Sequence, residues 1–83
     1  MQKPSPARMV IAHVDPAFNN GSNEAPAVIT RVWGEHPAGG WTVNLRVFVD
    51  TPASPLSSTS VRLLDEQPAA GDAAHTAWWP PRV

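Results

Sequence analysis

Residues 42–50, Thr-Val-Asn-Leu-Arg-Val-Phe-Val-Asp, alternate strictly. Val43, Leu45, Val47 and Val49 share one parity, and Thr42, Asn44, Arg46, Phe48 and Asp50 share the other. A period of two sends successive side chains to opposite faces of a strand, so residues 41–50 read as a strand with an aliphatic inner side. Similar patterns predict strands over 8–14, 26–33 and 58–65, the last with Thr59, Val61 and Leu63 on one parity. Asp15-Pro16 ends the first of these, and Asn20-Gly21 marks a turn because both residues tolerate positive φ. The connection around that turn is long for a hairpin, so it reads as a mobile flap. Pro26 suits the first position of a strand, which need not donate to the ladder. Strands two and three pair antiparallel across the 34–40 loop. Pro52 and Pro55 block continuation of the third strand, and residues 66–75 form a polar excursion with room for a brief helical turn.

The chain closes on Trp78-Trp79-Pro80-Pro81-Arg82-Val83. Two indoles left in solvent would expose area worth a few kcal/mol each when buried. The segment is therefore expected to dock as a short fifth strand or extended piece. Four or five short strands in one domain imply an all-β fold: a small, strongly bent antiparallel sheet or partly open barrel, SH3-like or related. Residues 1–7 read as a flexible lead-in and 8–83 as the single β domain.

Composition narrows this further. The 83 residues include ten prolines and five glycines, which leave little space for long helices. A chain this short buries about 60–65% of the surface that its unfolded form exposes. Without cysteine it has no disulfide to offset that deficit, which also fits a reducing compartment. His13, His36 and His75 stand apart without paired metal ligands. Association between copies is the remaining support, so a homo-oligomer is expected. A net charge of −1 with scattered basic residues argues against nucleic acid as the partner. No apolar run approaches the ~20 residues that span a bilayer, and the start of the chain does not read as a signal peptide. A cytoplasmic protein without membrane contact is expected.

Applying the alternation to both middle strands puts Val28, Val32, Val43, Leu45 and Val47 inside. Ile29, Arg31, Trp33, Asn44, Arg46 and Phe48 then lie outside, and a slip of one residue would reverse the assignment. Arginine forks grip phosphate or carboxylate, aromatic faces stack on bases, and Asn44 offers donors and an acceptor. The same residue types equally build protein–protein contacts, and a pocket at a subunit boundary would serve both uses. Catalytic groups are absent by pattern. His36 is a lone loop histidine, Asp65 and Glu66 point apart on a strand, and the serines at 54, 57, 58 and 60 have no activating partner. The chain reads as a non-enzyme with no cofactor.

Taken together, "PAVITRVW", "VNLRVFVD", "STSV" and the terminal "WWPPRV" occur in an order that resembles a group of small phage and prophage proteins, over roughly residues 8–83. The 34–40 loop is longer here than in that pattern. The resemblance implies a phage origin and a place in the cytoplasm of an infected bacterial host. By analogy of size and surface chemistry it also suggests the class of phage proteins that sequester nucleotide immune signals. A ligand of about 40 heavy atoms at ~0.3 kcal/mol per atom reaches about −12 kcal/mol, which is nanomolar binding. In that reading Arg31 and Arg46 take phosphates, and Trp33 and one of Trp78 or Trp79 stack the base. Asn44 and Thr59 hydrogen-bond, Phe48 flanks the site, and Arg82 adds an anion contact. The alternatives are a virion or assembly component using the same face for protein contact, and a binder of single-stranded nucleic acid.

Overall fold

A computed structural model describes residues 3–52 and 54–80. Five strands run in chain order: β1 (Met9–His13), β2 (Glu24–Glu35), β3 (Trp41–Val47), β4 (Leu56–Leu64) and β5 (Thr76–Trp78). They close into a barrel in the order β1-β2-β3-β4-β5. Among the described residues closure leaves no edge strand, a liability that a chain this small would otherwise carry. The expected all-β small barrel is thus what forms, and it is closed rather than partly open.

One pairing departs from an all-antiparallel sheet. β5 runs antiparallel to β1, with Ile11 opposite Trp78, but parallel to β4, with Leu64 opposite Trp78. A parallel neighbour needs a crossover, and residues 65–75 supply it, including the 3-10 turn Ala70–Asp72. Strand direction has no signature in local sequence, so this feature lay outside what alternation could predict.

The interior mixes alanines with branched residues. Ala12, Ala25, Ala27 and Ala77 face Val10, Ile29, Val43, Leu45, Val47, Val61 and Leu63, all buried. Five strands enclose a narrow tube, and small side chains beside large ones fill its taper. Ile29, Leu63, Val10 and Val43 are the largest fully buried side chains, each stabilising by about 1.5–3 kcal/mol relative to exposure.

β2 corrects the sequence reading. Ala25, Ala27 and Ile29 point inward, and Val28 lies outside and half-buried. Ile29 pairs with Leu45 and Arg31 with Asn44, so Thr30 is an extra residue in the ladder. This β-bulge resets the phase. Beyond it Val32 packs against the core while Arg31 and Trp33 are exposed, as expected of them. A second shift separates Val32, opposite Val43, from Gly34, opposite Thr42. β4 carries a third: Val43 pairs with Val61 and Leu45 with Ser58, which breaks the expected run of Thr59, Val61 and Leu63 on one side. Thr59 is exposed, and Val61 and Leu63 are buried.

The described residues that flank the barrel are engaged as well. Pro4 is buried and the Ala7 N–H donates to Ile29 O at 2.8 Å, so the described part of the lead-in rests on the barrel. At the other end Trp79 joins the core at 9% exposure, its N–H bonded to Leu64 O, while Arg8 lies 5.5 Å from its ring centroid. The Trp79 indole N–H is buried and finds no acceptor among the described residues. Such an orphan donor costs about 1–3 kcal/mol, comparable to the loss from shrinking the ring. Trp79→Phe is accordingly expected to change the unfolding free energy by less than about 1 kcal/mol, because the two effects oppose. A urea titration checks this, and a large loss would mean that the N–H is satisfied.

Candidate functional site

On β3, Asn44 and Arg46 share the outer parity, and Arg31 on β2 stands opposite Asn44. Trp33 follows two residues after Arg31 and swings out at the second bulge of β2. The Arg31 guanidinium carbon sits 3.9 Å from the Trp33 ring centroid, a stacked cation–π contact. Trp33 is 54% exposed, and Phe48 is 43% exposed just past the end of β3. Arg31, Trp33, Asn44, Arg46 and Phe48 therefore share one outer surface.

Asn44 is the hinge of this arrangement. Its Oδ1 accepts from Trp33 Nε1 at 2.9 Å and from the Ser60 backbone N–H at 3.0 Å. Ser60 has φ of 55° and lies at the β4 shift, so one carboxamide oxygen ties irregularities on both neighbouring strands. Two lone pairs serve two donors. The oxygen expected to read a ligand is thus already committed within the fold, leaving the Nδ2 donors. Asn44→Ala is expected to cost about 1–2 kcal/mol, since both stranded donors are exposed enough to find water. Asn44→Asp keeps the acceptor and is expected to retain most of that stability. Urea unfolding measures both, and equal losses would mean that the oxygen is not what matters.

Apolar neighbours extend the surface. Met9 stands opposite Val28 and Val28 opposite Arg46, while Ile11 stands opposite Pro26, whose carbonyl accepts from the Phe48 N–H at 2.9 Å. Met9 is 49% exposed, Val28 is half-buried and Pro26 is exposed. None of Arg31, Trp33, Asn44, Arg46 or Phe48 lines either of the two cavities described below. The face lies outside both of them, with Arg31, Trp33, Arg46 and Phe48 exposed.

The remaining sequence candidates fall elsewhere. Thr59 is exposed next to Ser60, and its carbonyl lies 2.9 Å from His75 Nε2, so it borders the face through β4. Trp78 ends β5 and Trp79 follows it; both are buried there and not on the β2–β3 face, which removes them as stacking partners for a ligand on that face. Their apolar area is worth more buried against the barrel than on display. Arg82 lies outside the described residues. His36 is a turn staple: its Nδ1 accepts from the Ala38 N–H at 3.0 Å. Sequence reading missed Asn19, which is 5% exposed and bonds both to its own loop and to Asp50. Its signal was hidden because its main partner is distant in sequence.

One cavity of about 180 Å³ opens beside β1 and β4, between Val14, Phe18, Leu56 and His75. A larger groove of about 1020 Å³ runs over β5 and β1. Among the described residues no group of three or more His, Asp or Glu is placed to hold a metal, and no helix is long and apolar enough to cross a membrane. Comparison with protein-family models, curated proteins and solved structures finds no match.

Proposed function

We propose that the protein is a non-enzymatic binding module whose working surface is the outer face of β2 and β3, and that this face makes a protein contact. The observation that carries the reading is the prearranged pair of Arg31 stacked on Trp33, held by Asn44 on an exposed surface. Arg and Trp dominate binding hot spots, and a pair already fixed in place loses little side-chain entropy on docking. Met9, Val28, Pro26 and Phe48 supply the apolar surround that excludes water. Within a phage, as the sequence resemblance suggests, such a module acts by assembly with itself or with another phage protein. The test is sedimentation velocity over a concentration series, comparing the wild type with Arg31→Ala/Trp33→Ala. The wild type is expected to exceed the monomer mass and the variant to fall to it. Identical behaviour of the two overturns the reading.

A second reading, sequestration of a phosphate-bearing nucleotide signal, is favoured by two guanidiniums and a bare indole on one face. Because that face is open, the ligand would need a second subunit to enclose it. Titration calorimetry with a panel of cyclic nucleotides and ADP-ribose derivatives tests it. Saturable heat abolished by Arg31→Ala supports sequestration, and no heat at protein well above micromolar removes it.

A further inference from the structure

β5 is three residues long, so it closes the barrel wall over only part of its height. It pairs with β1 at Ile11 and Ala12 and with β4 at Arg62, Leu63 and Leu64. Beyond those pairs, among the described residues, no strand stands between residues 13–14 and residues 56–58. The cavity of about 180 Å³ lies in that gap. Its walls come from β1, β3, β4, the 3-10 turn Pro16–Phe18 and the turn into β5, all within the described residues. The floor belongs to the core: Ala12, Leu45, Val47 and Val61 are buried. Thr76 is buried there too, but its hydroxyl is committed to Ala73 O at 2.6 Å. Free polar chemistry gathers at the rim, where Ser57 and His75 are exposed and His13 and Ser58 are half-buried. A second observation marks the same rim. His75 has φ of 57°, in the left-handed region that a residue with a Cβ enters at a cost. Backbone outliers of this kind collect at functional sites. Its Nε2 donates to Thr59 O at 2.9 Å, which leaves Nδ1 of the neutral ring as an acceptor.

We infer that this cavity binds a compact neutral molecule: one six-membered ring seated on Leu45, Val47 and Val61, carrying one hydroxyl that donates to His75 Nδ1. Size sets the ring count. An aliphatic-lined cavity of about 150 Å³ takes up benzene. One of about 180 Å³ therefore holds a single ring with a small substituent and excludes two fused rings. Charge sets the rest. The buried part of the lining carries no ionisable group, so an ionised ligand would have to shed its hydration without a partner. Asp15, the one carboxylate in the lining, is exposed at the rim and disfavours an anion from outside. An apolar pocket with a few convergent polar groups at its mouth is the usual form of a small-molecule site. The site lies between β1 and β4 and is independent of the reading of the β2–β3 face.

Methyl NMR titration of the full chain tests this, with phenol, anisole, benzoate and naphthol as probes. Phenol is expected to shift the methyl signals of Leu45, Val47 and Val61 saturably, with Kd on the order of 0.1–1 mM. Anisole has the same ring without a donor and is expected to bind several-fold more weakly. Benzoate and naphthol are expected not to bind. His75→Gly suits the left-handed backbone, so it is expected to keep the melting temperature, weaken phenol several-fold and leave anisole unchanged. Ser58→Leu places a side chain in the cavity and is expected to abolish binding of both. Circular dichroism establishes the fold of each variant, and the probe series with His75→Gly carries the test alone if Ser58→Leu does not fold. Absence of saturable shifts with phenol up to about 10 mM overturns the inference. So do equal shifts in folded Ser58→Leu, a preference for phenol over anisole that survives His75→Gly, or binding of naphthol or benzoate as tight as phenol. Binding of N-acetyl-tyrosine amide without binding of phenol also overturns it, and makes the cavity a socket for a partner's side chain.

Discussion

Gly40→Ala is expected to cost about 3 kcal/mol or more, among the largest losses that a single methyl group can cause. Gly40 has φ of +79°, and a Cβ built there would stand 2.2 Å from the Leu63 carbonyl oxygen and 3.3 Å from its carbon. The obstacle is backbone, in a strand paired on both sides, so no side-chain rotation relieves it. Left-handed φ adds roughly 1–2 kcal/mol for a residue with a Cβ. The opposing gain from restricting the unfolded chain is only about 0.4–1 kcal/mol. Against a total stability of roughly 4–12 kcal/mol for a chain of this length, such a loss leaves a visibly unfolded population. Gly39 is the control. It too has positive φ, at +98°, yet the nearest atom to its would-be Cβ is the tip of the Arg62 side chain at 3.5 Å. Gly39→Ala should therefore show only the conformational penalty, about 1 kcal/mol. Urea unfolding of both variants reads the difference. Equal losses would mean that the hairpin does not press against β4.

That close approach explains why the hairpin is built as it is. Arg62 Nε donates to Gly39 O at 2.9 Å, the Gly39 N–H donates to His36 O, and the His36 N–H donates to Gly40 O. The 34–40 loop was legible in the sequence, but the reason for a glycine at position 40 lies with Leu63, which is distant in sequence and adjacent only once β3 and β4 pair.

The same division separates what alternation could and could not reveal elsewhere. Val43, Leu45 and Val47 were placed correctly because β3 carries no extra residue over that stretch. β2 was harder for a physical reason: both of its parities contain apolar side chains, Ala27 and Ile29 on one and Val28 and Val32 on the other. With nothing polar to break the tie, a bulge at Thr30 lets each parity be inside for half of the strand. Arg31 and Trp33 were expected outside and are outside, although Ile29, assigned with them, is core. The terminal tryptophans announced docking by their apolar area, and β5 delivers it. Their identity as aromatics also suggested stacking on a ligand, and local sequence held nothing to choose between the two uses. What decides is competition for burial, and the barrel wall offers more of it than an open face does.

Asn19→Ala is expected to cost about 3 kcal/mol by removing three hydrogen bonds to backbone groups at once, although Glu24 O keeps a donor in Ser22 Oγ. Asn19 Nδ2 donates to Ser22 O at 3.0 Å and to Glu24 O at 2.8 Å, and its Oδ1 accepts from the Asp50 N–H at 2.6 Å. The side chain is 5% exposed, so water cannot replace it fully. Neighbouring contacts point the same way: Asn20 Nδ2 donates to Asp50 O at 2.6 Å and Thr51 Oγ1 to Phe18 O at 2.8 Å. The β1–β2 connection, whose length suggested a mobile flap, is pinned instead to the chain leaving β3. Asn20→Ala removes an exposed contact and should cost under about 1 kcal/mol, which makes the burial of Asn19 the variable under test. Asn19→Asp should be no better than Asn19→Ala, because it restores the acceptor while turning a carboxylate oxygen toward two carbonyls. Hydrogen exchange at the Asp50 amide gives a local readout, expected to lose its protection in Asn19→Ala even where the barrel stays folded. A change within about 0.5 kcal/mol of wild type would show that the two loops are not joined. The consequence reaches the proposed binding face, because Phe48 sits between the end of β3 and this anchor. Freeing residue 50 frees the aromatic edge of the surface on which Arg31 and Trp33 stand.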